Sequence, residues 1–159
     1  MKIIKVYEPD GVLHEVKVDD EDYPKLIKYD WRWRNGYAAM PHRRSFYQLH
    51  RMVMGALWKE DIIIDHIDGV HENCQKSNLR RANRFQNQQN RKTNEGNTLP
   101  KGIRQLPSGK YNVRVQAYNQ RRVFGAFDTV EEAVEARNDM AQQLHGEFYR
   151  PSHPIEENV

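Results

Sequence analysis

The stretch Ile62-Ile63-Ile64-Asp65-His66-Ile67-Asp68-Gly69 decides how the rest of the chain is read. Its isoleucines predict a short buried strand, and Asp68-Gly69 predicts the turn that ends it. Consecutive strand side chains point to opposite faces, so Asp65 and His66 can serve one site only where the strand ends or distorts. The Asp-Gly turn supplies such a place. Asp65 offers the hard oxygen that magnesium prefers, and His66 an imidazole that titrates near neutrality and can take a proton from water. Taken alone, the pair reads more simply as a strand-end salt bridge.

Residues further along the chain shift that balance. Asn78 precedes Leu79-Arg80-Arg81, and Ala82 to Arg91 reads as a short helix with Asn83 near its N-cap. Asn87, one turn in, could return a neutral amide oxygen to a cation held by Asp65, a place for which Asn83 and Asn90 compete. The Asn78 carboxamide could pin the histidine loop through backbone bonds. Phosphodiester hydrolysis needs an activated water and neutralised charge on phosphate and leaving oxygen, which one divalent metal and a general base can supply.

The charge pattern points to the same substrate. From Leu79 to Arg122 there are eleven Lys/Arg against one acid, Glu95, whereas residues 123–159 carry two against eight. Such a basic block between near-neutral and acidic flanks reads as a nucleic-acid footprint. Arg80, Arg81, Arg84, Arg91 and Lys92 stand beside the candidate site and are expected to position phosphates. The overall character is polar, with 30% charged residues and a mean hydropathy of −0.96. Cys74 is the sole cysteine, which excludes an intrachain disulfide framework or a cysteine-based zinc site and predicts a buried, idle thiol. The first residues lack the apolar run of a signal peptide, and no segment approaches the roughly 20 apolar residues of a membrane span. A soluble protein of the cytoplasm, with no membrane partner, is therefore expected.

An α+β architecture emerges along the chain. Short strand-like runs occupy Lys2–Tyr7, Val12–Val18, Tyr37–Met40 and Phe46–Leu49, with Pro9-Asp10-Gly11 and Asn35-Gly36 as turns. Asp19–Asp22 reads as the acidic first turn of a helix over Tyr23–Tyr29. Trp31 and Trp33, alternating with Arg32 and Arg34, are expected as core anchors. His50 is expected to be packed and hydrogen-bonded, and His14, His42, His71, His145 and His153 to lie at the surface. Residues 93–100 read as a linker. Beyond it, Gly102–Gln105, Tyr111–Ala117 and Arg121–Phe127 predict a three-stranded antiparallel meander, turned at Pro107-Ser108-Gly109 and Asn119-Gln120. Thr129 and Glu132 then form a capping box that opens a helix ending at Gly146. One sheet face is left for Arg114, Gln116 and Arg121.

Asp65-His66-Ile67-Asp68-Gly69, with Asn78-Leu79-Arg80 twelve residues after the histidine and Asn87 nine further on, resembles the HNH (ββα-metal) endonucleases, the phage homing branch most closely. Asp20-Glu21-Asp22-Tyr23, Trp31, Leu49-His50-Arg51, Gln86-Asn87 and Asn90-Arg91 extend the likeness over roughly residues 12–92. The resemblance implies a ββα-metal core at about 60–92 within a nuclease domain of residues 1–92. It also implies His66 as general base, Asp65 and Asn87 as ligands of a single Mg2+ or Mn2+, and Asn78 as the residue that orients the histidine loop. Residues 101–150 resemble the ethylene-response-factor DNA-binding domain through Lys101-Gly102-Ile103-Arg104, Gly109-Lys110-Tyr111, Gly125-Ala126-Phe127-Asp128-Thr129 and Glu131-Glu132-Ala133, with 151–159 as a tail. That likeness implies a sheet laid in the major groove of double-stranded DNA, with Lys101, Arg104, Lys110, Arg114, Gln116 and Arg121 towards the groove. The family's tryptophans on that face are replaced by Ser108 and Val123, so phosphate contact is implied more firmly than base readout.

Two functions fit this pattern: a metal-dependent DNA endonuclease with a C-terminal targeting module, and a DNA-binding regulator whose HNH half no longer cuts. A nuclease acting on RNA fits less well with a C-terminal sheet that resembles a duplex-DNA reader. Whether the chain works as a monomer or homodimer is not legible.

Overall fold

Alternation builds the first sheet. In β1 (Lys2–Tyr7) and β2 (Leu13–Val18), Ile4, Val6, Val16 and Val18 face inward while their neighbours face solvent. The computed structural model describes residues 1–43, 45–59, 61–90, 98–117 and 120–151, without the side chains of residues 117 and 120. Arg91, Lys92, most of the expected linker, Asn119 of the expected turn, His153 and the tail after Pro151 lie outside the described residues. The chain divides into two compact units, Met1–Asn83 and Arg84–Val159.

In the first unit, β1 and β2 join β3 (Arg32–Arg34), β4 (Tyr37–His42) and β5 (Ser45–Gln48) in the order β2-β1-β3-β4-β5. All pairings are antiparallel except the short β1–β3 contact at Tyr7 and Arg32. In sequence β3 is legible only as an alternation of Trp and Arg, but it is a true strand that buries Trp33, and Trp31 is buried just ahead of it. The Trp31 indole N–H donates to the Leu26 carbonyl at 2.8 Å. Asn35 and Gly36 turn β3 into β4 with both φ positive, the primed hairpin expected of Asn-Gly. Val6, Val16, Val18, Leu26 and Leu49 are almost wholly buried in one cluster, each worth about 1.5–3 kcal/mol of burial.

The acidic run has a different use from the one its sequence suggests. The helix α1 spans only Tyr23–Leu26 and carries no acid in its first turn. Asp19 instead accepts hydrogen bonds from the Lys76 backbone N–H at 2.8 Å and the Gln75 amide at 3.0 Å. The Lys76 ammonium pairs with Glu21 and Asp22 at 2.5 and 3.0 Å. A lysine and unpaired N–H donors attract carboxylates more strongly than the weak dipole of a four-residue helix.

After α2 (Leu49–Val53), Arg51 holds the connection by donating to the carbonyls of Ala56, Lys59 and Ile62 at 2.7–2.8 Å. β6 (Ile63–His66) then pairs antiparallel with β7 (Leu79–Ala82), with Asp65 opposite Arg80 and His66 opposite Leu79. Between them, residues 72–74 run along the free edge of β2. Lys17 N–H donates to Glu72 O at 2.7 Å, and Cys74 N–H donates to Lys17 O at 2.9 Å.

In the second unit, α3 (Arg84–Asn90) precedes β8 (Ile103–Gln105), β9 (Tyr111–Ala117) and β10 (Gln120–Phe127), in sheet order β10-β9-β8, and α4 (Val130–His145). The meander and capped helix expected from sequence are present. Thr129 Oγ1 accepts from Glu132 N–H at 3.2 Å, and Glu132 accepts from Asp128 N–H at 3.2 Å. Ile103, Val113 and Val115 pack against Ala133, Val134 and Ala141. The register therefore puts Arg104, Asn112, Arg114, Gln116, Arg121 and Val123 on the opposite sheet face. Among the described residues, no helix is long and apolar enough to cross a membrane.

Gly102, at φ +82, leads into β8, and a Cβ there would stand 2.6 Å from the Arg114 carbonyl oxygen. Gly102→Ala should cost about 2–3 kcal/mol through left-handed strain and that clash. The expected readout is a melting temperature lower by on the order of 10 °C; an unchanged melt would contradict this account of how β8 begins.

Candidate functional site: the Asp65–His66 turn and the basic sheet face

β6 ends at His66, and the next three residues turn back at once. Gly69 N–H donates to His66 O at 2.9 Å with Gly69 at φ +66. Asp68 serves this turn: its carboxylate accepts from Val70 N–H at 2.8 Å and from the Asn73 amide at 2.8 Å. Burial alone would raise the Asp68 pKa. The bonds from Val70, Asn73 and Asn78, with the nearby His66, outweigh it and hold the group below the usual carboxylate range.

Asn78, buried at the end of the 3-10 turn Lys76–Asn78, closes the loop from the other side. Its amide nitrogen donates to Asp68 Oδ1 at 2.9 Å and to Asn73 O at 2.8 Å, and its Oδ1 accepts from Asp68 N–H at 3.1 Å. The Asn78 backbone carbonyl accepts from Ile67 N–H at 2.9 Å. One residue thus fixes the backbone on both sides of the turn after His66.

His66 itself is 4% exposed and sits among rings. The His50 ring stands edge-on at 5.0 Å between centroids, His71 at 5.2 Å and Tyr37 at 6.3 Å. The Cys74 sulfur lies 3.8 Å from His66 Nε2. Burial, and then the neighbouring His71, pull the His66 imidazole down to about 4, against the upward pull of Asp68 and Glu72. At neutral pH the ring is therefore uncharged, the protonation state a proton acceptor needs. Burial likewise pulls His50 down to about 3, helped by His66, Arg51 and His71, and pushes the Cys74 thiol up to about 12. Cys74 is thus the inert, buried thiol expected, and His50 is packed as expected.

Asp65 is 5% exposed, and the Arg80 guanidinium reaches its Oδ2 through Nε and Nη2, both at 2.8 Å. This neutralises a carboxylate that burial would otherwise penalise. Arg80, expected at a phosphate, is here the counter-ion of Asp65. The Tyr37 hydroxyl is pushed up first by burial and then by the Asp65 charge, which sets β4 beside this carboxylate. Among the described residues, no group of three His, Cys, Asp or Glu could hold a metal ion. Asn87 is exposed on α3, in the second unit.

Two histidines expected at the surface belong to this framework. His71 stacks on Tyr37 at 4.1 Å and donates from Nδ1 to Gly36 O at 2.8 Å. His14 stacks on Trp33 at 3.8 Å and bridges Glu8 and Glu72 at 2.8 and 3.0 Å. Their spacing shows no metal pattern, and the sheet contacts that bury them have no local signature. Only His71, five residues after His66 and three before Cys74, could have suggested a cluster.

The remaining basic candidates differ in their surroundings. Arg81, Arg84, Arg104 and Arg121 are exposed, as is Gln116, and Arg114 is half-buried. Lys110 pairs with Asp128 at 2.8 Å. Lys101 caps the end of α3, donating to the Gln88 and Gln89 carbonyls at 3.1 and 2.9 Å.

Asn78→Ala removes three side-chain hydrogen bonds from a buried position. It should lower stability by about 1–3 kcal/mol, seen as a lower denaturation midpoint at unchanged m-value. Unchanged amide exchange at Ile67 and Asp68 in that variant would refute the latch.

No protein-family model matches the chain, and no solved structure matches it. The chain is similar to a protein of Acanthamoeba polyphaga mimivirus named as an uncharacterized HNH endonuclease. The two are 29% identical over 136 residues, which span 83% of this chain and 71% of the relative.

Proposed function

We propose that the chain is a divalent-metal-dependent HNH endonuclease that hydrolyses phosphodiester bonds in double-stranded DNA, targeted by its C-terminal unit. The observation that carries the reading is the His66 turn. A buried, neutral imidazole stands next to a buried carboxylate at the end of a two-stranded hairpin, and Asn78 locks the loop that begins there. The similarity to a viral protein named as an HNH endonuclease supports the same chemistry.

Asp65 and Asn87 would hold the ion. A carboxylate and an amide oxygen form a hard, oxygen-rich donor pair that suits Mg2+ or Mn2+ better than a soft metal. Bound there, the ion would acidify water and neutralise charge on the phosphate. His66, uncharged and fixed by its surroundings, accepts the proton of the attacking water. Asn78 acts by orientation, holding the backbone that sets the ring. Arg80 pairs with Asp65 in a buried place.

A supercoiled plasmid with Mg2+ tests this. His66→Ala should abolish cutting while DNA binding persists, and Asn87→Ala should raise the metal concentration needed for half-maximal cutting. Wild-type protein that binds DNA and never cuts would favour the non-catalytic regulator.

DNA would lie on the open face of the β8–β10 sheet, where Arg104 and Arg121 are exposed and Asn112, Arg114 and Gln116 share the face. Each phosphate neutralised releases counterions, so Arg104→Ala with Arg121→Ala should reduce the slope of log affinity against log salt by roughly 2. An unaltered slope would place the DNA elsewhere.

A further inference from the structure

A cavity of about 230 Å³ opens in the second unit beside β9, where Lys101 and Gly102 lead into β8. Its lining includes Phe85, Lys101, Val115, Arg137 and His145, and among the described residues no acid lines it. Arg137, on α4, is 2% exposed. Its Nη1 donates to Asn138 Oδ1 at 3.1 Å and to the Arg150 carbonyl at 2.7 Å, and no carboxylate pairs with it among the described residues. A buried guanidinium stays charged and is costly to bury without an anion.

His145 adds a specific polar feature. Its Nε2 lies 2.9 Å from the Gln116 carbonyl, which can only accept, so Nε2 carries the proton. Nδ1 then holds a lone pair, and it is buried with no hydrogen-bond partner among the described residues. Burial, with the charges of Arg137 and Lys101, keeps this ring's pKa below its ordinary value against the pull of the Gln116 carbonyl, so it is uncharged at neutral pH. Buried polar atoms in folded proteins are nearly always satisfied. A buried guanidinium and a lysine ammonium call for an anion, and a buried acceptor calls for a hydroxyl donor.

We infer that this cavity is a binding site for a phosphate ester that also carries a hydroxyl group, the chemistry of a sugar phosphate in a nucleotide. The phosphate sits against Arg137, with Lys101 adding charge, and the hydroxyl donates to His145 Nδ1. The volume suits a phosphate with its sugar rather than a whole nucleotide, so a base would extend to the rim, where Phe85 offers a ring face. The ligand is either a free nucleotide or the sugar–phosphate of a DNA strand. This site stands apart from the nuclease reading, and His66→Ala protein should bind with the same affinity.

Titration of the full chain with deoxyadenosine 5′-monophosphate, deoxyadenosine and a short unphosphorylated deoxyoligonucleotide tests the site. Calorimetry reads the affinity, and side-chain nitrogen NMR tracks His145 and Arg137. The monophosphate should shift the His145 Nδ1 resonance and bind at least about tenfold more tightly than deoxyadenosine, as expected for one charge-assisted contact. Binding of the oligonucleotide with the same shift identifies a strand as the source; binding of the monophosphate alone identifies a free nucleotide. Arg137→Met should weaken binding about tenfold. Arg137→Lys, which keeps the buried charge but not the planar fork, should also weaken it if Arg137→Met fails to fold. Deoxyadenosine binding as tightly as its phosphate, or resonances of His145 and Arg137 that stay fixed with every ligand, would overturn the proposal.

Discussion

The Asn78 carboxamide is the contact on which the geometry of the first unit turns. It joins the backbone after His66 to the start of β7 through Asp68 and Asn73, and its own main chain closes on Ile67. Asp65 and His66 end β6 in regular register, opposite Arg80 and Leu79, and so alternate in direction. With that closure, the turn is fixed within one residue of the imidazole. The latch is in turn held by the five-stranded sheet: residues 72–74 lie along β2, Glu72 meets His14, and Asp19 holds Gln75 and Lys76. The N-terminal sheet is therefore the rigid support that positions a site many residues away in sequence.

His66 gains its neutral state from the same packing. Three rings and a thiol surround it, and none offers a nearby anion strong enough to offset burial. A histidine paired with a carboxylate would have its pKa raised, which is the case for His14 between Glu8 and Glu72 despite the downward pull of its own burial. The two histidines share a sheet framework but differ in partners, and that difference lowers the pKa of one and raises that of the other.

Local pattern carries much of the fold. The β8–β10 meander, the Thr129 cap and the Gly146 stop are legible because alternation, turn residues and capping boxes are short-range signals. Asp65, His66 and Asn78 are legible as a spaced motif. Their surroundings are not. Tyr37 and His71 reach His66 through a sheet and a loop distant in sequence, and the purpose of Asp19–Asp22 depends on Lys76, more than fifty residues later. Arg137 shows the same limit: the capping and stop signals of its helix say nothing of it, yet it is buried against a cavity.

The basic block shows why charge in sequence overstates charge available to a polyanion. Arg80 is paired with Asp65, Lys110 with Asp128, and Lys101 is bound to the carbonyl end of α3. Each is held by a local acceptor that phosphate would have to replace or share. Arg81, Arg84, Arg104, Arg121 and Arg122 remain exposed. Apart from the half-buried Arg114, the described cations of this segment are thus of two kinds, those held by acceptors of the fold and those that project from it. If the chain binds DNA as proposed, the salt dependence of binding reflects the second kind and not the full count read from sequence.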